Sequence, residues 1–453
     1  MKHFLYLFFV TLLLASCSEK PIETDLLIVN ATIVDVELNE VLSNKLIAIS
    51  GDTIQFVDHS SKKGRFKAKQ VLDAEGRYVM PGLWDNHVHF RGGESLVQEN
   101  KDFLPLFLNY GITTVRDAGG DITTNVLEWR NQILEGNLEG PMIFTSGPKL
   151  DGLNPAWEGS IKVETEEDII NALDSLETIG ADYVKMYDGS LSKETFYGII
   201  REAEKRGLKT TGHMPLSADF MEAVDIGLDG SEHLYYPLKS CSPLADSLTS
   251  LGIGYGMMGP IAESYDPHLA NQVFQKMGEK DIYVTPTLYI GKVLREILDT
   301  DHSQDSLLQF MGEGIIQSYQ RRIESARRAR ERGTGFRDKL EGVFTEMIVP
   351  MNEAGVNLLA GSDCGAFNSY TYPGASLHGE LFELVNAGLT PQQALKTSII
   401  NGPEFFNLEK YYGAVDAGKI ADLILLDKNP LENIRNLSKI HLLIVKGKLY
   451  DQL

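Results

Sequence analysis

The chain has 453 residues, 43% hydrophobic and 23% charged, which excludes a disordered chain, a collagen-like repeat and a multi-span membrane protein. Its 42 Lys and Arg residues against 63 Asp and Glu residues give a net charge of −21, so the positive field of a general nucleic-acid binder is missing. Three cysteines are too few for a disulfide scaffold. The length predicts two or three domains, or one (β/α)₈ barrel with a small attachment.

The first residues have the pattern of a secretion signal. Residues 4–14 form an apolar run that is too short for a bilayer span, which needs about 20 such residues. The run leads into Leu14-Ala15-Ser16-Cys17, which resembles the signal of a bacterial lipoprotein. The resemblance implies a signal peptide over 1–16, a lipid on Cys17, a tether over 17–24 and a lipid-anchored place in the bacterial cell envelope, periplasmic or surface-exposed. Ordinary secretion is the alternative.

Two cysteines remain, Cys241 and Cys364. They could form a disulfide in an oxidising compartment, but the sequence does not set the distance between them. Because Cys364 follows Asp363 and nothing in the sequence demonstrates a lowered thiol pKa, we expect no nucleophilic role for it.

Strand-like segments at both chain ends predict a small β domain. The segments are rich in Ile, Val and Leu, and cover residues 25–36, 45–57, 422–426 and 440–445. They predict that residues 25–78 and 409–453 together build one small, sandwich-like β domain.

Short apolar runs alternate with helical periodicity over the intervening residues 79–408. The predicted strands cover residues 78–90, 111–117, 142–147, 183–187, 209–213, 230–234, 282–288 and 357–363. A predicted helix over 166–179 places Ile169, Ile170, Leu173, Leu176 and Ile179 on one apolar face. Eight strands separated by helices predict an α/β fold with a (β/α)₈ TIM barrel.

Residues 237–354 hold one predicted strand and much additional helix. Six arginines between Arg321 and Arg332 are interspersed with glutamates. We interpret this stretch as a solvated helix face in preference to an anion-binding surface.

Four histidines and an aspartate fall at the ends of predicted strands. His87 and His89 end the first strand, and because residues i and i+2 point to the same side, both rings can reach one ion. His213, His233 and Asp363 close the fifth, sixth and eighth strands. The active site of a barrel lies at these strand ends, so the set indicates a metal centre, although a single such histidine would often be structural.

Lys185 lies in the middle of a predicted strand between apolar neighbours. An inward-pointing lysine is costly in a barrel unless it is paired or deprotonated. It could pair with Asp182 or Asp188. Alternatively, the neutral amine could react with carbon dioxide and form a carbamate whose oxygens bridge two metal ions.

These motifs resemble those of the amidohydrolase superfamily. The likeness covers nearly everything after the signal, and its segments are residues 81–89, 111–117, 212–213, 232–233, 361–363 and 417–423. Residues 181–189 and 212–216 are similar to the imidazolonepropionase-like branch that also contains metal-dependent Xaa-Pro dipeptidases. Imidazolonepropionase itself uses one metal and lacks the lysine, so Lys185 argues against that activity.

The resemblance implies two divalent metal ions, zinc by default, with manganese or cobalt also open. The ligands it implies are His87, His89, Lys185, His213, His233 and Asp363. The first two histidines and Asp363 would hold the more buried ion, and His213 and His233 the second, with a carbamate on Lys185 between them. Asp363 would be the catalytic residue, taking a proton from a metal-bridging hydroxide and passing it to the departing nitrogen.

Substrate-side residues are less constrained. Tyr235 could hydrogen-bond a substrate carboxylate, as a tyrosine does in the related dipeptidases, or form an amphipathic wall. His378 resembles a family position near the pocket mouth, with a structural role at a helix start as the alternative. Arg116 and Asp117 end the second strand and could pair with each other.

The leading function is hydrolysis of a carbon–nitrogen bond in an amide or peptide. A dipeptide or other N-acyl amino acid ranks first as the substrate, a cyclic amide or ureide second, and deamination of a heterocycle third. A non-catalytic lipoprotein binding module is the alternative from another class, and the intact ligand set counts against it. The expected partners are this small molecule and, through the lipid, a membrane, with no nucleic acid. The oligomeric state stays open.

Overall fold

The computed structural model describes residues 20–333 and 337–450. The signal peptide expected over 1–16, Cys17 and part of the tether lie outside the described residues. The first strand begins at Ile22, inside the range predicted for the tether. Within the described part of the chain, no helix has both the length and the apolar character needed to cross a membrane.

The described strands and helices follow one another along the whole chain. The strands are β1 Ile22–Asp35, β2 Glu40–Ser50, β3 Thr53–His59, β4 Phe66–Asp73, β5 Tyr78–Pro81, β6 Leu83–Val88, β7 Ile112–Asp117, β8 Met142–Thr145, β9 Leu150–Asp151, β10 Ile161–Lys162, β11 Val184–Met186, β12 Thr210–Gly212, β13 Gly230–Glu232, β14 Tyr283–Thr285, β15 Asn357–Leu358, β16 Leu423–Leu426, β17 Ile440–Val445 and β18 Lys448–Tyr450. The α-helices are α1 Val97–Asp102, α2 Leu104–Asn109, α3 Thr123–Glu135, α4 Glu166–Ile179, α5 Lys193–Arg206, α6 Phe220–Asp225, α7 Tyr235–Ser240, α8 Ala245–Ser250, α9 Met258–Glu263, α10 Pro267–Glu279, α11 Leu288–Glu296, α12 Glu313–Ser318, α13 Gln320–Glu331, α14 Arg337–Glu353, α15 Ala375–Asn386, α16 Pro391–Ile399 and α17 Asn401–Phe405.

Strands from both chain ends share one sheet, as the sequence predicted. Its order is β18-β17-β16-β5-β1-β2-β3, and β4 also pairs with β1. Leu26 and Ile28 of β1 pack into one apolar cluster, whereas Leu27 and Val29 pack into another. Because both faces of β1 are covered, its sequence reads as a continuous apolar run. The strands of the two chain ends pair into a single sheet. The sandwich-like second layer stays a prediction.

Each of the eight predicted barrel strands contains a strand. They lie in three parallel sheets, β6-β7-β8, β10-β9-β11-β12 and β13-β14-β15, so the described ladders do not form one continuous ring. Backbone hydrogen bonds cross between the sheets, among them those from Asp182 N to Thr145 O (2.8 Å) and from Asn86 N to Ala360 O (2.9 Å). Parallel strands alternating with helices give a TIM-barrel-like α/β arrangement.

Helix α4 has the bounds that the sequence predicts, because both of its ends are signalled locally. Thr165 caps its N-terminus in a capping box with Asp168, and Gly180 ends it in a left-handed conformation (φ 71°). Ile169, Leu173 and Leu176 of the predicted apolar face are buried. Ile170 is 39% exposed, so its place on that face was wrong.

Cys241 and Cys364 are both free and buried, so the disulfide considered for them is not formed. Burial raises the pKa of both thiols above the ordinary value. A thiol with a raised pKa is a poor nucleophile at neutral pH. This agrees with the expectation that Cys364 has no nucleophilic role.

A buried carboxyl group on α15 makes stability depend on pH. Glu380 accepts a hydrogen bond from Tyr289 N (2.7 Å), and its Oε1 has no hydrogen-bond partner among the described residues. Burial raises the pKa of Glu380 from 4.5 to about 8. Because the folded state holds this proton more tightly than the unfolded chain, the contribution of Glu380 to stability decreases as the pH rises between these values.

We therefore expect Glu380→Gln to be more stable than the wild type at about pH 9 and nearly equal to it at about pH 4. Urea unfolding at the two pH values measures the difference. A free-energy difference that is the same at both would contradict a buried neutral Glu380.

Candidate metal centre

The end of β6 and the loop after β15 bring three predicted ligands together. His87 lies on β6 and His89 just after it, and Asp363 N donates to His87 O (2.7 Å). The two Nε2 atoms are 3.2 Å apart, and Asp363 Oδ1 lies 3.5 Å from that of His87 and 3.2 Å from that of His89. These ligand atoms lie within 4.8 Å of one another and all three residues are buried. The group has the composition and spacing of a metal site.

The other ring nitrogen of each of these histidines has a partner. His87 Nδ1 lies 2.6 Å from Glu232 Oε2, and His89 Nδ1 lies 3.0 Å from the carbonyl of Gly119. A carboxylate or carbonyl on Nδ1 fixes the tautomer that carries its proton there and leaves the Nε2 lone pair for an ion.

His213 and His233 extend the same centre. Their ring centroids are 5.0 Å apart, and His233 Nε2 lies 3.9 Å from Asp363 Oδ2. His213 Nδ1 lies 3.2 Å from Asp188 Oδ1, and His233 Nδ1 lies 2.6 Å from Thr287 Oγ1. All four predicted histidines therefore keep Nδ1 engaged by a neighbour, an arrangement typical of metal-binding histidines.

The protonation of the histidines suits a metal ion. Burial lowers the pKa of His87 and His89 well below the ordinary value, and that of His233 to about 4. Neutral imidazole is the form that binds a metal. Imidazole nitrogens combined with a carboxylate fit zinc, and also suit other divalent transition metals.

Lys185 lies on β11 and is buried. Its Nζ has no hydrogen-bond partner among the described residues and lies 3.6 Å from Glu232 Oε1. The alternative of pairing with Asp182 or Asp188 was wrong, because Asp182 pairs with an arginine (3.1 Å) and Asp188 contacts His213. Burial lowers the pKa of Lys185 to about 8, which makes the neutral amine accessible near neutral pH.

Arg116 does not pair with its neighbour Asp117. Its Nη2 donates to Glu232 Oε1 (3.0 Å), whereas Asp117 accepts from Thr145 Oγ1 (2.7 Å). Consecutive residues of a strand point to opposite faces, so the pairing considered from the sequence was wrong. Sequence reasoning also missed the role of Glu232, for which its place beside His233 was the only signal.

Three non-glycine residues that follow neighbouring strands have left-handed backbones. His233 (φ 64°), Thr287 (φ 53°) and Asp363 (φ 52°) come after β13, β14 and β15. Such conformations cost of order 1–3 kcal/mol each and concentrate at functional sites. Here they occur at two predicted ligands and at the hydroxyl partner of His233.

A cavity of about 400 Å³ opens on this centre, and His213, His233 and Asp363 line it. Tyr235, the first residue of α7, also lines it and packs edge-to-face on Phe344. His378 lies elsewhere, with Nε2 2.8 Å from the carbonyl of Tyr110, so its expected place near the pocket mouth was wrong. The sequence likeness correctly placed His378 near the start of a helix, but it did not predict that the side chain contacts Tyr110 and not the cavity.

Two arginines and a glutamate also line the cavity. Arg322 of α13 reaches it, which corrects the interpretation of this stretch as a purely solvated face. Arg337 Nη1 lies 3.4 Å from Glu341 Oε1, and burial raises the pKa of Glu341 from 4.5 to about 7. The walls therefore offer cations for an anionic group of a ligand.

Comparisons with known proteins agree with this geometry. Residues 78–450 match the sequence profile described as Amidohydrolase family. Adenine deaminase of Staphylothermus marinus is 30% identical over 230 residues, 48% of this chain and 37% of the relative. The chain spans between 16% and 37% of the length of the adenine deaminases that it matches. Ochratoxinase of Aspergillus niger is 22% identical over 458 residues, 87% of this chain and 80% of the relative.

Solved structures extend the likeness to most of the chain. A Xaa-Pro dipeptidase with methionine in its active site has a TM-score of 0.68 at 19% identity, covering 94% of this chain and 99% of that one. The A. niger ochratoxinase structure has a TM-score of 0.64 at 19% identity, covering 94% of this chain and 96% of that one. At these identities the likeness shows the shared TIM-barrel-like α/β fold.

Proposed function

Since the chain belongs to the amidohydrolase family, we propose that it is a metal-dependent hydrolase that cleaves a carbon–nitrogen bond in an amide or peptide. The observation that carries the proposal is the buried group of His87, His89 and Asp363, whose ligand atoms converge beside a cavity. A divalent ion bound there would polarise a carbonyl oxygen and lower the pKa of water.

The proposal includes two ions, with His213 and His233 as ligands of the second and Lys185 as a bridging carbamate. It is supported by the 3.9 Å distance from His233 Nε2 to Asp363 Oδ2 and by the 5.0 Å distance between the ring centroids of His213 and His233. The buried Lys185 amine, which has no hydrogen bond among the described residues and lies 3.6 Å from Glu232 Oε1, also supports it. Carbamate formation joins the neutral lysine nitrogen to the carbon of carbon dioxide and releases one proton. The product is an anion with two donor oxygens, as a bridging ligand requires.

In the proposed reaction, Asp363 carries a proton from the attacking water to the departing nitrogen. Its Oδ1 lies 3.5 and 3.2 Å from the Nε2 atoms of His87 and His89, whereas its Oδ2 lies 3.9 Å from Nε2 of His233, a residue that lines the cavity. Oδ2 would take a proton from the attacking water and deliver it to the departing nitrogen. A carboxylate can combine these functions because one of its oxygens can bind a metal ion while the other holds a proton.

We place an N-acyl amino acid or a dipeptide first among substrates. Tyr235, Arg322 and Arg337 could receive its carboxylate, because all three line the cavity and two are cations. The names of the similar Xaa-Pro dipeptidase and ochratoxinase agree with an amide substrate. A cyclic amide is the second candidate, and the short coverage of the adenine deaminases gives deamination less support.

The test is a substrate screen on zinc-reconstituted protein. N-acyl amino acids, dipeptides, cyclic amides and adenine are offered at equal concentration, with N-acyl amino acid amides as matched controls without the carboxylate. We expect hydrolysis of a carboxylate-bearing amide and weaker hydrolysis of its matched control. Bound metal with no hydrolysis of any carbon–nitrogen substrate would contradict the function. Failure to bind metal would favour a non-catalytic binding module.

We further propose that the protein is lipid-anchored through Cys17 in the bacterial cell envelope. The proposal is supported by the Leu14-Ala15-Ser16-Cys17 pattern alone. Labelling with a fatty-acid analogue should mark the wild type and not Cys17→Ser. Equal labelling of both would contradict it.

A further inference from the structure

Asn368 contacts the proposed catalytic carboxylate through two hydrogen bonds. This buried residue lies in the loop after β15, and its Nδ2 donates to the backbone carbonyl of Asp363 (2.5 Å) and to its Oδ1 (2.7 Å). Oδ1 is the oxygen that faces His87 and His89. Asn368 therefore bonds to the oxygen nearest His87 and His89, and not to Oδ2, which lies 3.9 Å from His233 Nε2.

Arg322 contacts the other end of the same amide. Its Nη2 donates to Asn368 Oδ1 (3.1 Å). Because a guanidinium can only donate, this contact identifies the amide oxygen and turns the Nδ2 donor of Asn368 toward Asp363. The Asn368 side chain thus links Arg322, which lines the cavity, to the carboxylate of Asp363.

The Asn368 amide also bonds to both the backbone and the side chain of a residue with an unfavourable backbone conformation. Asp363 has a left-handed backbone (φ 52°), which is unfavourable for a residue with a Cβ atom. By bonding both the carbonyl and the carboxylate of Asp363, Asn368 restrains the backbone conformation and the side-chain rotation together. Loss of Asn368 would free the carboxylate to turn.

We propose that Asn368 and Arg322 are positioning residues, in which Arg322 orients the Asn368 amide and Asn368 keeps Asp363 Oδ1 toward His87 and His89. The assignment of Oδ2 as the proton-carrying atom rests on the proposed function. The orientation of Oδ1 toward the histidines does not.

The first test uses Co²⁺ alone as a probe. The full chain is freed of metal and titrated with Co²⁺ as wild type, Asn368→Ala, Arg322→Ala and Arg322→Lys. Arg328→Ala is the matched control, since Arg328 is an exposed arginine of the same helix. We expect Asn368→Ala to bind Co²⁺ about 10- to 100-fold more weakly with an altered visible spectrum, as removal of a residue that orients a ligand does. Arg322→Ala should have a smaller effect in the same direction.

The second test uses a substrate found in the screen. We expect Asn368→Ala to lower kcat about 10- to 100-fold while KM changes by less than about 3-fold, because Asn368 bonds to Asp363 and is not among the residues that line the cavity. Arg322→Lys, which still donates, should recover part of the kcat that Arg322→Ala loses. Because Arg322 also lines the cavity and could receive the substrate carboxylate, KM is measured for both Arg322 variants. Loss of positioning lowers kcat, whereas loss of a carboxylate contact raises KM.

Wild-type Co²⁺ affinity and spectrum in both Asn368→Ala and Arg322→Ala would overturn the proposal. A kcat within about 2-fold of the wild type in Asn368→Ala would also overturn it. If the wild type binds Co²⁺ but hydrolyses nothing, the proposed function fails, and the Co²⁺ titrations still decide the positioning roles. If Asn368→Ala does not fold, Arg322→Ala and Arg322→Lys decide them.

Discussion

Replacing Asp363 by Asn is expected to lower turnover by at least about 10³-fold while the protein stays folded. The substitution removes the proposed proton acceptor, and proton transfer by a positioned side chain contributes about 10²- to 10⁴-fold. It also removes the negative charge of a proposed metal ligand, whose Oδ1 lies 3.5 and 3.2 Å from the Nε2 atoms of His87 and His89. The shape of the side chain is kept, so the circular dichroism spectrum should be unchanged.

The measurement is kcat on the best substrate, with metal content determined in parallel. Asp246→Asn is the matched control, since Asp246 is an exposed residue of α8. Turnover close to that of the wild type in Asp363→Asn would remove Asp363 from the mechanism. A loss of the same size in the control would indicate a general effect of the substitution.

Replacing Lys185 by Met is expected to reduce bound metal from about two ions per chain to about one and to lower turnover about 10²-fold or more. Met fills nearly the same buried space without an amine, so the packing on β11 should persist. The effect would follow from loss of the bridging oxygens. Lys185 Nζ also lies 3.6 Å from Glu232 Oε1, so the number of bound ions is the measurement that separates loss of a bridging ligand from loss of this ion pair.

Metal content by elemental analysis measures the first effect, and Lys205→Met provides the control on an exposed lysine of α5. A carbamate carbon should also appear in the ¹³C NMR spectrum of wild type incubated with ¹³C-bicarbonate and be missing from Lys185→Met. Two ions bound in Lys185→Met, with an identical ¹³C spectrum, would show that Lys185 is not a ligand.

Local sequence rules were sufficient for much of the fold and for the core of the site. Strand alternation predicted that His87 and His89 share one side, and their Nε2 atoms are 3.2 Å apart. The bounds of α4 were readable because Thr165 and Gly180 mark its ends. The strand patterns of both chain ends likewise predicted one shared sheet.

Contacts between residues that are far apart in the sequence could not be predicted from local patterns. Glu232 accepts a hydrogen bond from Arg116, which lies on another strand. Arg322 lines the cavity although it belongs to the long connection between β14 and β15. His378 lies beside Tyr110, although a family likeness placed it near the pocket. The left-handed backbone of Asp363 has no sequence signal, because the surrounding structure imposes it.

Removal and restoration of metal tests whether hydrolysis depends on an ion held by His87, His89 and Asp363. The full chain is treated with a chelator, its metal content is measured, and hydrolysis of a carboxylate-bearing amide is followed before and after addition of Zn²⁺. We expect hydrolysis to disappear with the metal and to return as about two ions bind per chain. Undiminished hydrolysis by the metal-free protein would contradict it.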